Sequence, residues 1–459
     1  MLGNEWIAGS SPAVTSEGCI VGVIAELASF VAGAKASALP AAERERLRLH
    51  LTDTAVAALA GACIAEGKAL QNLGEEGALA GRIGRQAAAI RLTEIDDIHL
   101  PSCTTPSAGV VPVALALAAH RQKFEPGEIA SAIWVGSEIA TRIGMAVRGP
   151  QILYRGIWPT YLAAPVAAAA TAARLMGLSE TRTGHALSLA LMLMAGGVGR
   201  IHGAPSGRWF LYANAVAGGV AAAEAARADY RGDPDILDKD WLADTHGLAL
   251  DRGRLTEKLG VSSVYSALSL KPFCSAKQAI AAVEAFRVIL HRGVPRDAIA
   301  KLRVRVPPAY AGMIATRAEP GARLSTLVSV AHQIALAALA PDRLYEIDRS
   351  APVIDAALTQ FAAKVEVVAD AALESFYPQH WPAEVEVEAG GEVFRHRVVE
   401  AKGDPEHPLD AAGIADKAHR VLDPLVGGER AADWLATCGA ALDAGTACRK
   451  LAAAFAAGF

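Results

Sequence analysis

The apolar positions of this chain fall into two textures. From about residue 16 to residue 265 they recur at helical spacing, separated by "SALPAAE", "GKALQNLGEEGA", "PSCTTPS", "VRGPQ", "GLSETRTG", "HGAPSGR" and "YRGDPD". Such a period marks helices with one buried face, and the Gly, Pro and Ser clusters mark their ends, so the stretch predicts helix after helix. "CIVGVIAELASFVAGAKA" is the first, with Glu26 inside its apolar run and no basic leader before it, unlike a signal peptide. "LSETRTGHALSLALMLMAGG" shows both ends of a helix: Ser179 can accept from the first-turn amides, and Gly196-Gly197 tolerate the positive φ of a stop.

The second texture follows "SLKPFCSAKQAIAAVEAFRVIL", a helix expected to be entered through Pro272. "AIAKLRVRVPPAY" alternates with period two, as a half-buried strand does, and "AEVEVEAGGEVFRHRVVEAKG" alternates on both sides of Gly390-Gly391, which predicts a hairpin. Between them "STLVSVAHQIALAAL" and "APVIDAALTQFAAKV" read as helices, and "DAAGIADKAHRVLDPL" and "AGTACRKLAAAF" read as terminal helices packing back on the first region. The expected fold is mainly α: a large all-helical domain from 1–268 and 404–459, with a smaller α+β domain, 269–403, inserted before the C-terminal helices. Two domains also suit the 459 residues, because single cores stop growing at about 250–300 residues.

One run tests this picture. "YRGIWPTYLAAPVAAAATAARLMGL", residues 154–178, lacks charge from Arg155 to Arg174 and could nearly span a bilayer by length. It is mostly alanine, carries Pro159 and Pro165, and has no apolar flank, so a central helix of a helical domain is the better reading. Composition agrees: alanine and glycine dominate, aromatics are 5% and charged residues 20%, and small side chains let helices approach closely. A net charge of −4 with scattered Lys and Arg argues against a nucleic-acid surface, leaving a small-molecule partner. The six cysteines are widely separated with no CxxC pair, so a reduced, cytoplasmic chain without disulfides is expected.

Four segments together carry a resemblance: "EIDDIHLPSCTTPSAGVVPVALALA" (94–118), "RGIWPT" (155–160), "GRWFLYANAVAGGVAAAEA" (207–225) and "KPFCSAKQAIAAVEA" (271–285). Through them the chain resembles the MmgE/PrpD family of 2-methylcitrate dehydratases, cis-aconitate decarboxylases and iminodisuccinate epimerases. The resemblance implies a homodimer whose α+β domain acts as a lid over a cleft, and chemistry on small di- or tricarboxylates without metal or organic cofactor. It also implies histidines where Trp158 and Thr105 stand, a lysine where Arg208 stands and a histidine within "KPFCSAKQAI" in the dehydratase and decarboxylase branches. Glu94 matches a position that is usually aspartate in the decarboxylases. The "IWPT" and "KPFC-AKQ" forms are closer to the epimerase side.

Taking a proton from carbon beside a carboxylate needs a tuned base and cations aimed at the developing charge. Arg200 and Arg208 flank the "IHGAPSG" loop, and a guanidinium fork suits a carboxylate; solvated surface arginines are the plainer reading. Lys277, just inside its helix, can be an electrophile or a base, or a plain solvated lysine. Tyr154 can exchange a proton with the α-carbon if cations lower its pKa, or be a buried tyrosine with a satisfied hydroxyl. Asp96 and Asp97 can orient His99, an acid/base or substrate ligand unless it only caps a helix end. Glu94, Asp97, Thr105, Trp158 and Gln278 complete the substrate-binding set beside the two arginines. The His99/Cys103 spacing is an incomplete metal site, and no phosphate loop, GxGxxG or GxSxG follows an expected strand. Three functions compete: an isomerase using Tyr154 and Lys277, a lyase using His99 as acid, and a carboxylate-binding dimer without catalysis.

Overall fold

The computed structural model describes residues 22–73, 78–121, 123–194, 205–351 and 353–459. Helices run from Val23–Gly33 to the four-residue turn Gly253–Thr256, and helices Ala411–Val426, Gly428–Ala440 and Gly445–Ala457 close the chain. Local sequence rules set many boundaries. Val23–Gly33 buries Ile24, Leu27, Ala28 and Val31, one stripe at helical spacing. Ser179 accepts from the Arg182 amide at 3.4 Å and starts helix Glu180–Leu191, which ends at Leu191; Gly196-Gly197 lie outside the described residues.

The uncharged run becomes helix Pro159–Met176, buried among helices Ser107–Ala119, Pro126–Ala146 and Pro205–Arg227. Gly219 on the last of these passes so close that a Cβ there would stand 2.1 Å from the Pro165 carbonyl oxygen. Gly84 meets the Ala213 carbonyl in the same way, at 2.1 Å. The small residues therefore set helix spacing directly, because any side chain at these crossings would push two backbones apart. Among the described residues no single helix is long and apolar enough to cross a membrane. Ala41–Cys63 and Ala65–Gln71 meet both conditions only together, across an 89° bend.

The second texture forms one mixed sheet, ordered β4-β3-β5-β6, from β3 (Ile299–Val306), β4 (Val365–Ala369), β5 (Ala383–Ala389) and β6 (Glu392–Val398). The hairpin forms at Gly390 (φ 59°) and Gly391 (φ 85°), where both turn residues need the left-handed region. Three expectations shift. The helix expected from Pro272 starts at Lys277, because Lys271–Ala276 runs as loop. "STLVSVAHQIALAAL" breaks at Ser329, whose side chain caps a second helix at His332. "AAKV" leaves its helix at Ala362 and enters β4, whose parallel pairing to β3 no local pattern announces. The helical body is also not wholly helical: β1 (Ile98–His99) pairs antiparallel with β2 (Leu268–Ser269).

The C-terminal helices pack against Ala41–Cys63 and Ser107–Ala119. One contact there is ionic and fully buried: Lys417 Nζ lies 2.6 Å from Asp53 Oδ1 and donates to the Ile95 carbonyl at 2.8 Å. Removing one member strands a charge in the core, whereas removing both does not. Lys417→Met is therefore expected to lower unfolding free energy in urea by about 3–5 kcal/mol, and adding Asp53→Leu to recover most of it. A loss below about 1 kcal/mol for the single variant would show that the pair does not anchor the C-terminal helices.

Candidate active site

Helix Leu79–Arg91 ends with Arg91 in its last turn, and the chain then folds back on that side chain. Thr93 Oγ1 donates to the Ile90 carbonyl at 2.7 Å and accepts from the Ile95 amide at 3.4 Å, which tightens the turn. Glu94 sits there at φ 55°, a conformation that non-glycine residues seldom hold without support from their surroundings. The turn aims two carboxylates at one guanidinium: Arg91 donates to Asp96 at 2.7 and 2.9 Å and to Glu94 at 3.2 Å.

β1 and β2 then fasten this turn to a segment far along the chain, with Ile98 opposite Ser269 and His99 opposite Leu268. Two residues past β2, Lys271 Nζ donates to Glu94 at 2.9 Å and to Asp96 at 3.4 Å. The chain leaving β6 is drawn to the same place. The Leu270 amide donates to the Gly403 carbonyl at 2.8 Å, and Asp404 accepts from Ser269 Oγ at 2.8 Å and from Lys277 Nζ.

Arg91, Glu94, Lys271 and Lys277 border a pocket between the helical body and the strand-containing unit. Arg208 completes its charged side. Its guanidinium lies 4.2 Å from the Trp158 ring centroid and 4.4 Å from that of Trp209, and Nε donates to the Tyr161 hydroxyl at 3.2 Å. Its Nη2 stands 3.8 Å from Glu94 and has no hydrogen-bond partner, although the side chain is 8% exposed. A buried donor without a partner is costly, so this one is poised for an anion. Burial alone would raise the Glu94 pKa; Arg91, Lys271 and Arg208 outweigh it and hold the carboxyl well below the usual range. For Asp96 burial prevails and moves the pKa up.

Of the residues singled out from sequence, Glu94, Thr105, Trp158, Arg208, Lys277 and Gln278 line this pocket. The Thr105 amide and hydroxyl both donate to Thr160 Oγ1, at 3.1 and 3.3 Å. Tyr154 stands one step behind: Gln278 Nε2 donates to its hydroxyl oxygen at 3.3 Å. The expectation that cations lower the Tyr154 pKa is corrected, since burial pushes the phenol up and keeps it protonated, so that it starts as the proton donor. Arg200 lies outside the described residues.

Two residues face elsewhere. Strand alternation turns Ile98 into the pocket and His99 away, into a second cavity beside Glu138 and Arg142. Burial lowers the His99 pKa to about 4, with the Asp97 charge opposing, and Nδ1 pairs with Ser102 Oγ at 2.9 Å. His99 is thus neutral and outside the pocket, which corrects its role as the acid. Asp97 accepts from the Ser107 amide at 3.2 Å and pairs with His50 at 3.0 Å, so it caps helix Ser107–Ala119 instead of meeting substrate. His380, Glu400 and Glu406 form a group with ligand atoms within 4.8 Å, and none of them lines the pocket.

Arg91, Thr160 and Lys271 line the pocket without having been singled out, Cys103 lines it after being weighed only as a metal ligand, and Asp404 backs Lys277. Lys271 had a signal: it is the lone charge between residues 261 and 276. Asp404 had none, because its place depends on the path of the chain after β6.

Comparison with known proteins bears on most of the chain. The model described as MmgE/PrpD N-terminal domain matches residues 85–246, and that described as MmgE/PrpD C-terminal domain matches residues 273–438. A cis-aconitate decarboxylase-like protein of Aspergillus oryzae is 29% identical over 240 residues, covering 48% of this chain and 50% of the relative. The match thus spans about half the length of that curated relative.

The depressed His99 pKa gives a signed prediction. The unfolded chain binds this proton below pH ~6.5 and the folded chain only near pH 4, so the associated stability is whole above pH ~6.5 and falls away between the two. His99→Gln should flatten the loss of unfolding free energy over that window by up to about 3 kcal/mol. Urea unfolding at a series of pH values checks it, and equal slopes in both proteins would show that His99 is not buried neutral.

Proposed function

The chain belongs to the MmgE/PrpD family, and on that premise we propose that it moves a proton on the carbon beside a carboxylate of a small di- or tricarboxylic acid, as an isomerase. The observation that carries this reading is the free Arg208 donor beside Lys277 in a buried, cation-rich pocket. Arg208 receives the substrate carboxylate, and Lys271 adds positive charge where the enolate forms. Lys277, as its free amine, takes the α-proton, and Asp404 accepts one of its N–H groups and so fixes where the lone pair points. The electron pair of the broken C–H bond passes into the carboxylate as an enolate. Tyr154 then donates its phenolic proton to the opposite face, and the reverse reaction exchanges the two roles. The homodimer, the cytoplasmic setting and the lid role of the strand-containing unit belong to the same proposal.

The name of the Aspergillus relative favours a second reading, a lyase that releases carbon dioxide from an unsaturated acid. It passes through the same kind of carbanion, and Tyr154, rather than His99, supplies the proton to carbon.

Incubation with a panel of di- and tricarboxylates in deuterated water, followed by NMR, separates the readings. Deuterium entry with loss of optical activity is expected for the isomerase; alkene or carbon dioxide formation would replace that assignment with the lyase. Saturable binding without either would leave a carboxylate-binding protein. Lys277→Met and Tyr154→Phe should each abolish exchange with the fold intact, and Arg208→Ala should lower kcat/KM about a hundredfold. Near-normal exchange in the first two would remove the assigned proton pair.

A further inference from the structure

Behind β1 lies a second cavity, into which several buried side chains carry polar atoms without partners. Ile98 looks into the pocket and His99 looks the other way, towards Glu138 and Arg142 on helix Pro126–Ala146 and towards Arg254, Lys258 and Ser263 on the segment before β2. Three of these residues are more than nine-tenths buried and keep a donor unspent. Arg142, 4% exposed, donates through Nη1 to the Leu255 and Glu257 carbonyls at 3.2 and 2.9 Å and through Nε to Glu138 at 3.2 Å, which leaves Nη2 without a partner among the described residues. Ser263, 8% exposed, accepts from the Tyr265 amide at 3.2 Å, and its own hydroxyl hydrogen has no acceptor among the described residues.

His99, 5% exposed, presents Nε2 to the same space. With the Thr104 hydroxyl and amide both donating to Ser102 Oγ, at 2.6 and 3.2 Å, the serine hydrogen is assigned to His99 Nδ1 at 2.9 Å, ahead of the His99 carbonyl at 3.4 Å. Nε2 then carries the ring hydrogen and is a donor. Donors this deeply placed are costly to keep unless something meets them.

The acids nearby do not meet them. Glu138 is already satisfied, accepting from Trp134 Nε1 at 3.2 Å, from the Val264 amide at 2.6 Å and from Arg142. The Glu257 side chain is 58% exposed and lies 3.6 Å from Arg254 Nη1, too long for a hydrogen bond. Arg254 and Lys258 stand at the exposed rim, and Lys258 has no ion pair among the described residues. Strand, helix and loop thus send donors from three directions. That arrangement suits the oxygens of a tetrahedral anion better than the flat fork of a carboxylate.

We propose that this cavity is a second, anion-binding site that takes a phosphate group, free or as a monoester, on Arg142 Nη2, His99 Nε2 and Ser263 Oγ, with Arg254 and Lys258 adding charge at the rim. β1 separates it from the pocket, and it stands independently of the reaction assigned there.

Calorimetry on the full chain at constant ionic strength tests the site with inorganic phosphate, glycerol 3-phosphate and acetate. Phosphate is expected to bind one to one with the chain and at least about tenfold more tightly than acetate. Arg208→Gln removes the free donor of the pocket and should leave phosphate binding unchanged, which places the ion elsewhere. Arg254→Ala combined with Lys258→Ala removes only exposed side chains, so the fold is kept, and should weaken phosphate about tenfold. His99→Leu, with folding checked by its thermal midpoint, should weaken it by a similar factor. Glycerol 3-phosphate binding as tightly as the free ion assigns the site to an ester, and much weaker binding assigns it to inorganic phosphate; both support the site. Failure to saturate by about 10 mM phosphate, loss of binding in Arg208→Gln, or unchanged affinity in both cavity variants would overturn the proposal.

Discussion

The ion cluster of Arg91, Glu94, Asp96 and Lys271 is the constraint around which the rest is arranged. Four charges taken from water cost several kcal/mol each unless every one is met by an opposite charge in good geometry. Arg91 and Lys271 each touch both carboxylates, so the turn after helix Leu79–Arg91 and the loop after β2 must lie together or not at all. The two-residue β1–β2 ladder supplies that register with very little backbone, and Gly403, at φ 94°, brings the exit of β6 against Leu270. Body, loop and strand-containing unit thus meet at one dry set of charges.

The helical frame makes such a cluster tolerable. Alanine-rich helices bury little area per residue but pack closely, and close packing excludes the water that would otherwise solvate these charges. Gly84 and Gly219 show the limiting case, with backbone against backbone at the crossings of helix Pro205–Arg227. The two tryptophans beside Arg208 serve the same end: they hold its guanidinium by cation–π contact and leave Nη2 for a ligand.

Much of the fold was legible along the chain. The stripe of Val23–Gly33, the Ser179 cap and the Gly390-Gly391 hairpin are local devices that work with few neighbours, so their residues announce them. The site was legible in part. Glu94, Thr105, Trp158, Arg208, Lys277 and Gln278 share a pocket because the family's segments converge there, while Asp97 and His99, neighbours of Ile98, turn to other tasks. One residue's step along an extended chain reverses the direction of its side chain, and periodicity cannot say which face looks at the cleft.

By itself the sequence determined the two textures, most helix positions, the hairpin and the residue types from which a carboxylate site could be built. Tertiary structure decided the partners. It alone set β4 parallel beside β3, joined Lys417 to Asp53, brought Asp404 to Lys277 and left Arg208 with an unpaired donor. Helical and strand periods are written in neighbours a few positions apart, whereas a charge balance depends on groups hundreds of positions apart. Those meet only when burial of the apolar faces has closed the chain around them.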